Sequence, residues 1–274
     1  MLQVVKKFFS FLVTANIYIA FAAICLSCET YLLLDQKLKC DGLLSIIFFS
    51  TLFIYNHHRF IALRNNLFYQ HATIVSLFGL IISAFYCPLK IILILIPLGF
   101  ISFAYSVPLI RNKYGFVRLR EIPGLKIFFL SLVWTLATVL LPILNLNLEF
   151  FTWPIFLTLT RRMLFVFAIC IPFDIRDMQN DLRGNLRTLP VIMGERNAKI
   201  LSLIALLCFF LLALFQFRFE TFFNHALAFL LSSVITAMLV IKTYPWRKDF
   251  FYSVLIDGTM ILQFLLVAVS LVAK

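Results

Sequence analysis

The chain is poor in charge, and in acidic residues above all. Asp and Glu number 12 and Lys and Arg 24 among 274 residues, so charged side chains make up only 13%. A soluble domain carries roughly 25%, so half of a water-facing surface is missing here. That excludes an ordinary soluble globule and implies an outer face in contact with lipid. Glycine is scarce as well, with 8 residues, and no Gly- or Pro-broken runs recur in two halves. A transporter built on paired discontinuous helices is therefore disfavoured. The six cysteines (Cys25, Cys28, Cys40, Cys87, Cys170 and Cys208) fall mostly inside apolar stretches and form no disulfide framework. Cys25 and Cys28 have a CxxC spacing, but mid-helix and without a second pair, so they read as small buried apolar residues. Low-complexity linkers are absent, which leaves a single domain over residues 1–274.

What is present is hydrocarbon: 63% of the residues are hydrophobic and the mean hydropathy is +1.02. A spanning helix needs about 20 apolar residues. The chain divides into runs of that size at 8–34, 43–62, 67–86, 88–106, 123–145, 150–173, 197–217, 221–241 and 249–272. These predict an all-α, multi-spanning membrane bundle of about nine transmembrane helices. The first run follows Lys6 and Lys7 and exceeds the roughly 7–15 residues of a signal-peptide core. No small-x-small cleavage site closes it, so it reads as a retained helix.

The net charge of +12 does not point to nucleic acid, because the bases sit in short loops between the apolar runs. With the N-terminus inside, 17 Lys and Arg fall on inner segments and 5 on outer ones, Arg161 and Arg162 lying within the sixth run. That bias predicts a cytoplasmic N-terminus. No organelle signal is evident, and a bacterial cell membrane is the expected location. The longer connections are also inner: a basic, interfacial stretch from Val107 to Ile122, and a segment from Asp174 to about Arg196. Function is expected on that face.

Three of the few acids fall together, as Asp174, Asp177 and Asp181 in "FDIRDMQND". Helical spacings of three and four bring them onto one face within about 60°. Such repulsion is most simply relieved by a divalent cation, and carboxylate oxygens suit Mg²⁺ held jointly with phosphate oxygens. The same acids could instead occupy a solvated helix end, paired with Arg176 and Arg183. Arg183, Arg187, Arg111, Lys113 and Lys126 share that membrane face and suit a diphosphate, whose charge Arg and Lys can hold as it leaves. Basic inner loops would also follow from topology alone.

The stretch "FDIRDMQNDLRGNLRTLPVIMGERNAK" resembles the second aspartate-rich motif of the UbiA superfamily of intramembrane prenyltransferases, in particular its menaquinone-pathway branch. "YSVPLIRNKYGFVRLREIPGLK" is similar to that family's YS-x-P segment with its basic loop and following lysine. With the helix count, the resemblance covers nearly the whole chain. It implies transfer of an isoprenyl group from an isoprenyl diphosphate to a small aromatic or quinoid acceptor, with Mg²⁺ held by two aspartate motifs. Carried over, Asp177 and Asp181 would be metal ligands with Asp174 beside them. Tyr105 would approach the diphosphate or the allylic cation, and Lys126 and Arg187 would hold phosphate oxygens.

The first motif departs from the family's N-D-x-x-D, which often has an arginine four residues earlier. This sequence reads "STLFIYNHHRF": Asn56 matches, but His57 and Phe60 stand at the aspartates and Leu52 at the arginine. Imidazole is a poor Mg²⁺ ligand, so the usual two-motif site is not available. Three outcomes are open. Metal could sit on the second motif alone, with His57, His58 or Arg59 touching the diphosphate. The enzyme could use another metal or substrate. Or the chain could bind a prenyl lipid without turnover. Asn16 resembles a polar position of the family's first helix and is expected to face the cavity. Glu29, Arg161, Arg162 and Asp257, all within apolar runs, are expected to form structural pairs.

Overall fold

The computed structural model describes residues 2–34, 41–63, 66–108, 110–112, 115–118, 121–122, 124–217 and 222–272. Eleven helices run along them: α1 (Leu2–Thr14), α2 (Ile17–Leu33), α3 (Gly42–Ala62), α4 (Leu67–Phe85), α5 (Leu89–Ser106), α6 (Leu125–Thr135), α7 (Leu141–Asn145), α8 (Trp153–Arg183), α9 (Leu189–Gln216), α10 (Phe222–Ile241) and α11 (Asp257–Val272). A π-helical turn, Leu136–Leu140, joins α6 to α7 in one rod, and another, Phe251–Ile256, opens α11. Six of the rods are long and apolar enough to cross a membrane, seven with the bent α1–α2 pair. Helix α3 fails that test because its last turns carry Asn56, His57, His58 and Arg59, and α5 is slightly short. With them, nine rods follow the nine predicted runs, and the all-α membrane bundle stands.

Three details differ from expectation. The first run is not straight: α1 and α2 meet at 75°. Asn16 at the corner has φ 60, a left-handed conformation that Asn adopts more readily than most residues. The Val107–Ile122 segment contains a short antiparallel hairpin, Ile110–Asn112 with Gly115–Val117, in which Arg111 pairs with Phe116. And the acid motif is not a loop. Helix α8 runs 31 residues, about 46 Å at 1.5 Å per residue, so it outlasts its apolar part and carries all three aspartates. Helix α9 likewise begins at Leu189, across a break at Gly194 (φ 83, ψ 158).

Helix α8 packs on α6 and α9, α2 on α3 and α11, and α3 on α4. The innermost large side chains are Tyr31, Tyr252, Phe165, Phe209 and Phe229. Two helix-internal prolines show how the bundle satisfies its backbone without water. Proline cannot bond the carbonyl four residues back. Pro142 leaves the Thr138 carbonyl, to which Thr30 Oγ1 donates at 2.8 Å. Pro172 leaves the Ala168 carbonyl, to which Ser202 Oγ donates at 2.8 Å. Each repair comes from a neighbouring helix, as lipid-embedded backbone requires.

Candidate active site

Pro172 precedes the acids by two residues, so the repaired turn of α8 sets where they point. A cavity of about 300 Å³ opens beside it, walled by α2, α3, α5, α6, α8 and α11. Its polar part is made by Asp174, Arg176, Asp177, Lys126, Tyr105, His58 and Asp257; the rest is mainly apolar, including Ile19, Ala23, Leu130, Val133, Ile169 and Phe173.

Asp174 is only 2% exposed. Its Oδ1 meets Lys126 Nζ at 2.5 Å, while Oδ2 is buried with no hydrogen-bond partner among the described residues. Lys126 sits in the first turn of α6, just after Gly124, whose φ of 72 only glycine takes freely. Asp177 is held from the preceding residue, accepting from Arg176 Nε at 2.8 Å and Nη2 at 3.0 Å. The pairing with Arg176 that the sequence offered as an alternative is thus formed. Asp181 is buried and acts electrostatically on Lys126 and Asp174, but it does not line the cavity.

The three carboxylates therefore share a face without converging. Seven residues of helix separate Asp174 from Asp181 by about 10 Å along the axis, and Asp181 falls beyond the cavity wall. Among the described residues no three His, Cys, Asp or Glu side chains gather around one metal position. Mg²⁺ does not need such a cage, since it typically uses one or two carboxylates plus phosphate oxygens. The open Oδ2 of Asp174 and the partly exposed Asp177 provide that donor type.

The first-motif residues part company. His58 lines the cavity, its Nε2 3.3 Å from the Ser102 carbonyl, and stacks on Tyr105 at 5.8 Å and 22°. His57 lies outside the lining, stacked between Phe53 and Phe103 with centroids at 5.7 and 5.0 Å. Arg59 donates to the Tyr69 hydroxyl at 3.1 Å. Asn56 is fully buried: it accepts from Asn16 Nδ2 at 2.9 Å and donates to the Ala15 carbonyl at 3.1 Å. Asn16 and Asn56 thus brace the α1–α2 corner and are not part of the cavity wall. Arg187 borders a crevice behind the Lys126–Asp174 pair, with Glu121 and Thr188. Arg183 is exposed on the last turn of α8. Arg111 stands on the first hairpin strand, and Lys113 lies outside the described residues.

A model of the UbiA prenyltransferase family matches residues 57–253. The chain belongs to that family. No curated protein and no solved structure matches it. UbiA membership carries intramembrane prenyltransferase activity as the general expectation, and the matched span takes in Tyr105, Lys126 and the α8 acids. It leaves out Asn16, Asn56 and Asp257.

Sequence reasoning missed much of the cavity wall, Tyr55, Trp134 and Asp257 among it. Tyr55 and Trp134, T-shaped at 6.5 Å, carry no signal apart from their aromaticity among many aromatics. Asp257 was visible as a charge in an apolar run but read as one half of a pair. Glu29 and Arg162 do pair: Arg162 Nη1 donates to Glu29 Oε2 at 3.3 Å, and Gln263 Nε2 donates to both Glu29 oxygens at 3.0 and 2.9 Å. Arg161 lies over the rings of Phe229 and Phe217, 4.1 and 5.0 Å from their centroids.

Proposed function

We propose that this UbiA protein transfers an isoprenyl group from an isoprenyl diphosphate to a small aromatic or quinoid acceptor. The observation that carries the proposal is one cavity with its charged groups at the α8 acids and hydrocarbon over most of its remaining wall. An amphiphile with a diphosphate head and a prenyl tail has that polarity. The charge bias along the chain supports a cytoplasmic N-terminus, with the charged groups near that face of the membrane, and a bacterial cell membrane is the setting proposed.

Lys126 would hold the diphosphate through the donors that Asp174 leaves over, and Arg187 would reach it from the crevice behind. Asp174 and Asp177 would be the carboxylates for Mg²⁺, with Asp181 adding negative charge one turn beyond. When bound, the cation would offset the charge that builds on the departing diphosphate. Heterolysis of the bond between the prenyl carbon and the bridging oxygen leaves an allylic cation facing apolar and aromatic wall. Tyr105, stacked on His58, stands beside the charged groups, and its ring face suits a carbocation. An electron-rich ring carbon of the acceptor then forms the new bond and releases its proton.

A second reading rests on α3, which gives the cavity Thr51, Ile54, Tyr55 and His58 but no carboxylate. A chain with only one acid motif could bind a prenyl lipid without turning it over. Purified protein in nanodiscs, given labelled isoprenyl diphosphates, Mg²⁺ and a panel of aromatic acceptors, separates the two. Diphosphate release that Asp177→Ala abolishes supports transfer. Saturable binding with no release, under conditions that activate a related enzyme, supports the binder and sinks the transferase.

A further inference from the structure

Asp257 is an acid that the motif chemistry does not use. It lines the same cavity as Asp177 but comes from α11, four residues past the span that matches the family. Among the described residues its carboxylate accepts no hydrogen bond. The cation acting on it is Arg176, whose Nε and Nη2 are committed to Asp177 and whose Nη1 lies 3.7 Å from Asp249. Glu29, in contrast, is saturated by Arg162 and Gln263. An acid left unfilled against an apolar cavity bears a desolvation cost unless something that enters the cavity donates to it.

The backbone is arranged to hold it there. The π-helical turn Phe251–Ile256 ends at Asp257, and one extra residue in a turn rotates every later side chain by about 100° around the axis. Tyr18 of α2 steadies that turn by donating its hydroxyl to the Val254 carbonyl at 3.1 Å. Residue 258 must be small to admit it, since a Cβ there would lie 2.6 Å from the Tyr18 oxygen. Without the extra residue, Asp257 would face another direction.

The surroundings define what the carboxylate could hold. Tyr55 lies within its electrostatic reach and meets the Trp134 ring edge-on, centroids 6.5 Å apart, and both rings line the cavity. Aromatic walls favour a flat guest, and a carboxylate requires that guest to present a hydrogen. An isoprenyl diphosphate suits that place poorly, being an anion with a hydrocarbon tail and no flat ring to lie against those walls. The acceptor substrate suits it.

We propose that Asp257 is the acceptor-binding residue: its carboxylate receives the hydroxyl hydrogen of a hydroxylated aromatic acceptor lodged against Tyr55 and Trp134. The assignment rests on the transferase reading, and it adds the acceptor's required chemistry, a free ring hydroxyl.

The test compares 2-naphthol with 2-methoxynaphthalene, which has the same ring and no donor. Each is titrated into wild-type protein in nanodiscs, with empty nanodiscs subtracted. A hydrogen bond from the hydroxyl to the Asp257 carboxyl group predicts a several-fold, up to about ten-fold, preference for the naphthol. Asp257→Leu removes the preference and leaves affinity for the ether and for farnesyl diphosphate within about two-fold. Equal affinities in the wild type overturn the assignment, and so does a variant that weakens both naphthalenes alike. The wild-type comparison stands even if the variant does not fold. Farnesyl diphosphate, measured in parallel, keeps the two ideas apart. If it fails to bind while the naphthol preference holds, the transferase reading falls. If it binds and is cleaved while the preference is absent, only the role of Asp257 falls.

Discussion

Helix α8 carries charge at two levels, and the two behave differently. Arg161 and Arg162 lie near one end and Asp174, Arg176 and Asp177 near the other, about 18 Å apart along the axis. At the first level most partners are supplied by the chain, with Glu29 from α2, Gln263 from α11 and two phenyl rings under Arg161, though Arg161 Nη1 is buried without a hydrogen-bond partner among the described residues. The cavity beside the α8 acids does not reach it. At the second level the pairing is incomplete, with Asp174 Oδ2 unbonded, Asp177 partly exposed and Asp257 open, all against a cavity. Buried charge of the first kind ties helices together. The second kind is kept ready for a molecule that completes it. What separates structure from site is therefore not the presence of intramembrane charge but whether its open bonding capacity faces the cavity.

That contrast can be broken by substitution. The largest effect is expected at the closed level. Arg162→Met leaves Glu29 buried without its cation and should cost about 3–5 kcal/mol, read as a lower thermal unfolding midpoint in nanodiscs. A midpoint within a degree of wild type would erase the distinction. At the open level the signs exchange. Asp177→Ala should leave the unfolding midpoint nearly unchanged while transferase turnover falls on the order of 100-fold, as losing a first contact to a reacting group usually does. Lys126→Met is expected to follow the same pattern in turnover, with a smaller share of the loss appearing in stability because Asp174 is then unpaired.

Smaller effects sharpen the line between lining and supporting residues. Thr30→Val removes the donor to the Thr138 carbonyl and should cost about 1 kcal/mol, with substrate affinities unchanged. Smallest of all, His57→Phe should alter turnover by less than about two-fold, since that ring already stacks between two phenyl groups. His58→Phe, one residue along, should raise the KM for the diphosphate. Equal effects at both would mean that α3 is not divided as its contacts indicate.

Much of this was legible in the sequence. The apolar runs fall where the rods fall, because lipid leaves little choice about the length and polarity of a span. The acid trio was readable from its spacing alone, and α8 does carry it on one face. What spacing could not convey is axial reach: a shared face is not a shared point, and Asp181 stands too far along to meet Asp174 at one ion. Non-local partners were also hidden. Nothing near Glu29 announces Gln263, which is 234 residues away, and nothing near Asp257 announces an extra residue in the turn before it. The divergence of "NHHRF" from two aspartates was plain, but only the folded helix separates His58, which lines the cavity, from His57 and Asn56, which do not.

The contact between Tyr18 and residue 258 bears on how such a chain can change over descent. While the phenol is in place, alanine at 258 would press a methyl carbon to 2.6 Å from its oxygen. With phenylalanine at 18, the nearest atom left to that carbon is the ring carbon at 3.8 Å, an ordinary van der Waals distance. Gly258→Ala should accordingly be harmful alone and tolerated after Tyr18→Phe, so one order of mutation is open and the other blocked. Lineages in which position 18 has lost its hydroxyl are where alanine at 258 should be found.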